Sequence, residues 1–172
     1  MHLAQPRQTS NAPRTDLATA KAIVAHLASV KSRQDVKAAL EIYHWNATLL
    51  CPPWKSSAQG RDEVEKSLIN FFKLVPDYVV DLAGNAMDGD TLVSWGTIHM
   101  TLSTTPRGDA PNGKKASTPV FILFRFAEGK VIWESFHFDP ADVARQSGVT
   151  TEAFVRRTEP LSSQPTLSGV QS

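Results

Sequence analysis

The stretch VFILFRFAEGKVIWESFHFD (Val120–Asp139) holds two runs of β-branched and aromatic residues around Ala127-Glu128-Gly129. Such runs flanking a glycine-bearing turn predict an antiparallel hairpin. With Gly129 in the left-handed position of a three-residue loop with a bulge, Phe126 pairs with Lys130 and Arg125 faces Val131. Alternation along the strands then places Arg125, Trp133, Ser135, His137 and Asp139 on one face. The other face carries Ile122, Phe124, Phe126, Ile132, Phe136 and Phe138, with Glu134 as its polar exception. A two-residue loop at Glu128-Gly129 shifts the register by one and regroups both sets; the three-residue loop is the preferred reading. Large hydrophobes in both phases mean that two faces need cover, and one layer of helices supplies only one. A homodimer through the sheet is therefore expected.

Upstream of the hairpin the same period of 2 runs through Tyr78–Ala83 and Leu92–Leu102, separated by the turn Asp88-Gly89-Asp90. Thr104–Thr118 reads as a polar link. Before Pro76 the period is 3.6. Leu17, Ala20, Ile23, Val24 and Leu27 predict a helix capped by Thr15 or Asp16 and ending near Val30. Ser32–Tyr43 and Gly60–Leu74 predict two more helices, the latter with Val64, Leu68, Phe71 and Phe72 on its buried stripe. Ala47–Cys51 predicts a short strand stopped by Pro52-Pro53, which lack N–H donors. Helices first and strands afterwards indicate an α+β fold. The organisation reads as a flexible arm (1–14), one domain (15–148) and a polar Ser/Thr/Pro-rich tail (149–172).

Composition narrows the class. With 41% hydrophobic and 20% charged residues the chain can build a core. Its formal net charge of +1 offers no stripe for nucleic acid or anionic lipid. No apolar run is long enough for a membrane helix and the N-terminus lacks a secretory core, so a cytoplasmic location is expected. The single cysteine, Cys51, excludes an internal disulfide; it reads as buried and inert. The five histidines show no metal-ligand spacing, and no motif calls for a metal or cofactor.

Three segments together resemble one family. GRDEVEKSLINFF (Gly60–Phe72), MDGDTLVSWGTIHM (Met87–Met100) and FRFAEGKVIWESFHFD (Phe124–Asp139) are similar, in order and spacing, to the SnoaL-like branch of the nuclear-transport-factor-2-like superfamily. The resemblance covers about residues 15–148. It implies a cone-shaped fold with N-terminal helices packed on a curved, mainly antiparallel sheet, holding a small apolar ligand. The superfold hosts cyclases, isomerases, dehydratases and non-catalytic binders. In SnoaL-like cyclases the acid ending the last strand is the acid/base, and Asp139 matches it. Their partner histidine lies where this chain has Arg125, a departure from the cyclase pattern. The oxyanion acid of ketosteroid isomerases corresponds to about Ile122, which is apolar.

The candidate catalytic set is accordingly Asp139 as base, His137 as proton shuttle, Arg125 as enolate stabiliser and His99 as a further acid/base. Plainer roles compete with each. Asp139 before Pro140 suits a helix N-cap, Arg125 suits an ion pair with Glu134 or Glu128, and both histidines suit structural hydrogen bonds. Tyr43, Trp45, Trp54, Trp95 and Trp133 are candidate ligand-gripping aromatics, or ordinary packing. The expected activity is cofactor-free acid/base chemistry on a small apolar carbonyl compound. The alternatives are a non-catalytic binding domain and a dimeric scaffold.

Overall fold

A computed structural model describes residues 14–155 of the 172-residue chain; residues 1–13 of the predicted arm and 156–172 of the predicted tail lie outside them. Helix α1 (Leu17–Lys31) starts where the Asp16 carboxylate accepts the Thr19 N–H. Ala20, Val24, Leu27 and Lys31 recur at helical spacing and are all buried. Asp35 caps α2 (Val36–Ile42), shorter than predicted because residues 32–35 form the turn that closes α1 and the chain turns extended at Tyr43. That extension makes β1 (Tyr43–Cys51) begin four residues before Ala47.

Pro52-Pro53 ends β1 as expected, in a 3₁₀ turn over Pro52–Trp54. The short strand β2 (Ser56–Gln59) then folds back on β1; its polar sequence carries no strand pattern. Helix α3 (Arg61–Leu74) buries Val64, Leu68 and Phe72. Strands β3 (Val79–Asp88), β4 (Thr91–Thr101), β5 (Lys115–Ala127) and β6 (Lys130–Phe138) follow. Helices α4 (Pro140–Gln146) and α5 (Thr151–Val155) close the described chain.

The sheet has six strands in the order β2-β1-β6-β5-β4-β3. Every pairing is antiparallel except β1 with β6. The α+β expectation holds: helices pack on one face of this open, mixed sheet. Strand β5 begins inside the predicted polar link. Residues 115–119 pair only with β4, because β6 ends opposite Val120. That open edge is where Pro119, lacking an N–H, is tolerated.

The β5–β6 turn corrects the preferred loop. Ala127 pairs with Lys130, leaving a two-residue turn whose Glu128 and Gly129 have φ of 54° and 72°. Two positive φ values are the signature of a type I′ hairpin. By itself this would regroup the faces. A bulge cancels the shift: Phe126 pairs with Val131 and Arg125 with Trp133, so Ile132 is the extra residue. Beyond it Leu123 faces Ser135 and Phe121 faces His137, two positions from the predicted pairing but in the same phase. The predicted face sets survive, except that Val131 turns inward and is fully buried.

Packing continues past Gly148. Phe154 is buried and its ring meets Trp54 and Phe138 edge-on, at centroid distances of 5.3 and 6.2 Å. The start of the segment predicted as tail therefore belongs to the core. No helix among the described residues is long and apolar enough to cross a membrane.

Candidate functional site

Between α3, the 3₁₀ turn and the helix-covered face of β1 and β6 lies a pocket of about 450 Å³, within the usual range for small-molecule sites. Its walls are Leu49, Cys51, Trp54, Leu68, Phe71 and Phe136, with Ser56, Ser57, Glu63, Lys66 and Asn70 also lining it. Lys31, Tyr78 and Glu134 line it too. They also line a second cavity of about 10 Å³ against Val24, Leu27, Ile122 and Phe124, so they stand between the two.

Glu134 is the acid that alternation assigned to the apolar face, and it is 2% exposed. Lys31, on the buried stripe of α1 one turn after Leu27, reaches it at 2.8 Å between Nζ and Oε1. The Tyr43 hydroxyl donates to Oε2 of the same carboxylate and accepts from Lys31 Nζ at 3.4 Å. Burial, then the charge of Glu134 and the hydrogen bond to it, hold the Tyr43 hydroxyl well above its usual pKa. Tyr78 is raised in the same direction by burial and by Glu134. Both phenols stay protonated, as donors beside a carboxylate.

An isolated buried charge costs several kcal/mol, and a hydrogen-bonded partner offsets much of that. Lys31 and Glu134 break the apolar rule of their elements with opposite signs. That coincidence was the available signal in the sequence. It was missed because the predicted α1 stopped at Val30 and because nothing local links residues 31 and 134.

The predicted residues lie elsewhere. Arg125, Trp133 and His137 share one face of the sheet, as alternation foretold; it is the face away from the pocket helices, and none of them lines the pocket. Arg125 stacks over Trp133 at 5.2 Å and donates to Thr91 Oγ1, rather than pairing with Glu134 or Glu128. His137 Nε2 shares a 2.7 Å hydrogen bond with Ser135 Oγ. His99 sits between Asp81 (3.2 Å) and Ser117 (2.7 Å) on the same outer face. Asp139 is exposed, and its carboxylate accepts the Ala141 and Asp142 N–H groups as the cap of α4.

Of the aromatics, Trp54 lines the pocket, and its indole N–H has no acceptor among the described residues. Tyr43 belongs to the Glu134 cluster. Trp45 is 70% exposed, so it is not a pocket wall. Trp95 lies across Gly84 of the neighbouring strand, where a glycine leaves room for an indole. Cys51 faces the pocket with its thiol pushed up to about 11 by burial, which keeps it unreactive at neutral pH. No group of His, Cys, Asp and Glu suited to a metal ion occurs among the described residues.

Comparison with known proteins places this architecture. Residues 23–134, more than half of the chain, match the model of the SnoaL-like domain. No curated protein matches the sequence. Among solved structures, a protein of Jannaschia sp. CCS1 described as a SnoaL-like polyketide cyclase aligns with a TM-score of 0.68 at 16% identity, covering 78% of this chain and 96% of that one. A hypothetical protein from Catenulispora acidiphila with a ketosteroid isomerase-like fold, in complex with trimethylamine, gives 0.67 at 14% identity over 76% and 95%. An NTF2-like protein of unknown function from Burkholderia pseudomallei gives 0.63 at 19% identity over 75% and 97%. At these identities the likeness is one of fold.

Proposed function

The chain belongs to the SnoaL-like domain family, and on that footing we propose that it binds a small, largely apolar carbonyl compound in the α3 pocket and acts on it by cofactor-free proton transfer. Cyclisation, isomerisation and dehydration all begin with such a transfer next to a carbonyl. The observation that carries the proposal is the buried Glu134 carboxylate lining an otherwise mostly apolar pocket, held by Lys31 and Tyr43. A carboxylate fixed away from water needs little reorganisation to accept a proton from a bound carbon acid. Asp139, His137, Arg125 and His99 carry no part of this reading, because their side chains are engaged on the opposite face or at the α4 cap.

The test is exchange of the α-protons of 2-tetralone in D₂O, followed by NMR. The protein is expected to accelerate exchange, and Glu134→Gln to lose roughly 10²–10⁴-fold of that acceleration. Asp139→Asn is expected to retain it. Acceleration that survives in Glu134→Gln and disappears in Asp139→Asn would return the chemistry to the end of β6. Binding of 2-tetralone with no exchange would leave a non-catalytic binder.

A second copy of the chain is the proposed cover for the outer sheet face. Phe121, 54% exposed, pairs across the strands with Trp95, 38% exposed, and with His137, forming an apolar centre on three adjacent strands. Light scattering should give twice the 18.8 kDa chain mass; a monomer at micromolar concentration removes this part of the proposal.

A further inference from the structure

Donors and acceptors around Glu134 do not balance. An ammonium has three N–H donors and a phenol one. Lys31 places one N–H on Glu134 Oε1 and one on Tyr43 Oη. Its third has no acceptor among the described residues. Tyr43 is fully used, donating to Glu134 and accepting from Lys31. The Tyr78 hydroxyl has no hydrogen-bond partner among the described residues, although the side chain is 1% exposed and lines the pocket. The buried polar atoms without a partner among the described residues are Trp54 Nε1, Thr118 Oγ1 and Ser147 Oγ, so the Tyr78 hydroxyl is not sealed in the core but opens onto the pocket, where a ligand can reach it. Lys31 and Tyr78 both pack on Phe136, with the ammonium 5.9 Å and the phenol ring 6.3 Å from that ring's centroid.

We propose that the Tyr78 hydroxyl and the third Lys31 N–H form a donor pair for the carbonyl oxygen of the ligand, so that the pocket selects a neutral ketone over a hydrocarbon or a carboxylate. The inference rests on the pocket reading above and adds the ligand's orientation. With its oxygen on Lys31 and Tyr78, the carbon next to the carbonyl lies toward Glu134. When Glu134 takes a proton from that carbon, the C–H electron pair forms the C=C bond and the carbonyl π pair moves onto oxygen. The donor pair then stabilises the enolate. Selection against a carboxylate follows from charge. Lys31 is already neutralised by Glu134, and Lys66, the other cation of the pocket wall, is exposed to solvent, so an anionic group placed against Lys31 adds a negative charge that the buried end of the pocket does not balance.

Three probes of similar size separate the cases: 1-tetralone, its hydrocarbon parent tetralin, and 1-naphthoate, each titrated calorimetrically at neutral pH. The full chain is expected to bind 1-tetralone roughly tenfold more tightly than tetralin, and more tightly than 1-naphthoate. Tyr78→Phe removes a hydroxyl that bonds no other described residue, so the fold and the tetralin affinity should stay unchanged. In that variant the preference for 1-tetralone should fall to about threefold or less. Equal binding of 1-tetralone and tetralin overturns the donor pair while leaving the pocket intact. So does a preference that Tyr78→Phe does not change. Tightest binding of 1-naphthoate, lost in Lys31→Met, would make Lys31 an anion site and overturn the proposed ligand class. If none of the three binds at millimolar concentration, the pocket reading fails and this inference fails with it.

Discussion

The two faces of the sheet use similar side chains under opposite conditions. On the outer face, His99 lies between Asp81 and Ser117, Arg125 covers Trp133, and His137 bonds Ser135. The Asp81 side chain is 73% exposed, so its contact with His99 exchanges readily with water, whereas Ser135 beneath His137 is buried and hydrogen-bonded. On the inner face a single acid, Glu134, is 2% exposed and depends on Lys31 and Tyr43 for its partners. Exposed charges such as Asp81 cost almost nothing to keep there. The inner pair survives at the expense of desolvation, and a pair of hydrophobes of similar volume would often be as stable. A buried pair at a pocket therefore points to function more strongly than several exposed contacts.

The contrast breaks most visibly in stability. Lys31→Met leaves Glu134 buried without its cation and should cost about 3–5 kcal/mol in urea unfolding. The double variant Lys31→Met/Glu134→Leu should recover most of that loss. Asp81→Asn on the outer face should change stability by no more than about 0.5 kcal/mol. If the two single variants cost the same, the faces are energetically alike and the contrast fails.

Glycines sharpen it next. A Cβ on Gly96, in the inner phase of β4, would meet the Asp81 carbonyl oxygen at 2.0 Å, and a backbone atom cannot step aside. Gly96→Ala should cost about 2–3 kcal/mol. At Gly84 the obstacle is the indole of Trp95 at 2.3 Å, a half-exposed side chain able to swing away. Gly84→Ala should cost about 1 kcal/mol, with a change in tryptophan fluorescence.

At the end of β6, Asp139→Ala should lose about 1 kcal/mol through the cap of α4, while Asp139→Asn loses only a few tenths. Thermal unfolding of both variants checks this. A large loss in Asp139→Asn would show that the charge matters beyond capping.

The smallest effect depends on pH. Burial works to raise the Asp77 pKa, but the Thr101 N–H and hydroxyl and the Lys115 ammonium outweigh it and hold the carboxyl below 3.8. A depressed folded pKa means that its stabilisation is complete above the unfolded value and fades as pH falls through the folded one. The stability gap between the parent chain and Asp77→Asn should therefore shrink between pH 6 and pH 3. A gap that widens on acidification would reverse the assignment.

Much of the fold was readable because it follows from local periodicity. Every long strand and helix announces itself by spacing, and the hairpin phases were right even though the turn was not. A two-residue turn and a bulge each shift the register by one residue, and together they restore the phase. The polar strand β2 was hidden because its partner, β1, supplies the pattern that its own sequence lacks.

Alternation alone put Arg125, Trp133, Ser135 and His137 on one face and Glu134 on the other. It could not say which face the helices would cover. That choice is made when α1 and α3 pack, and it turns Glu134 from a rule-breaking residue into the acid of the pocket and His137 into a neighbour of Ser135. The physical reason is range. Periodicity acts over a few residues of chain, whereas the Lys31–Glu134 pair joins positions 103 residues apart that only the packed core brings within 2.8 Å.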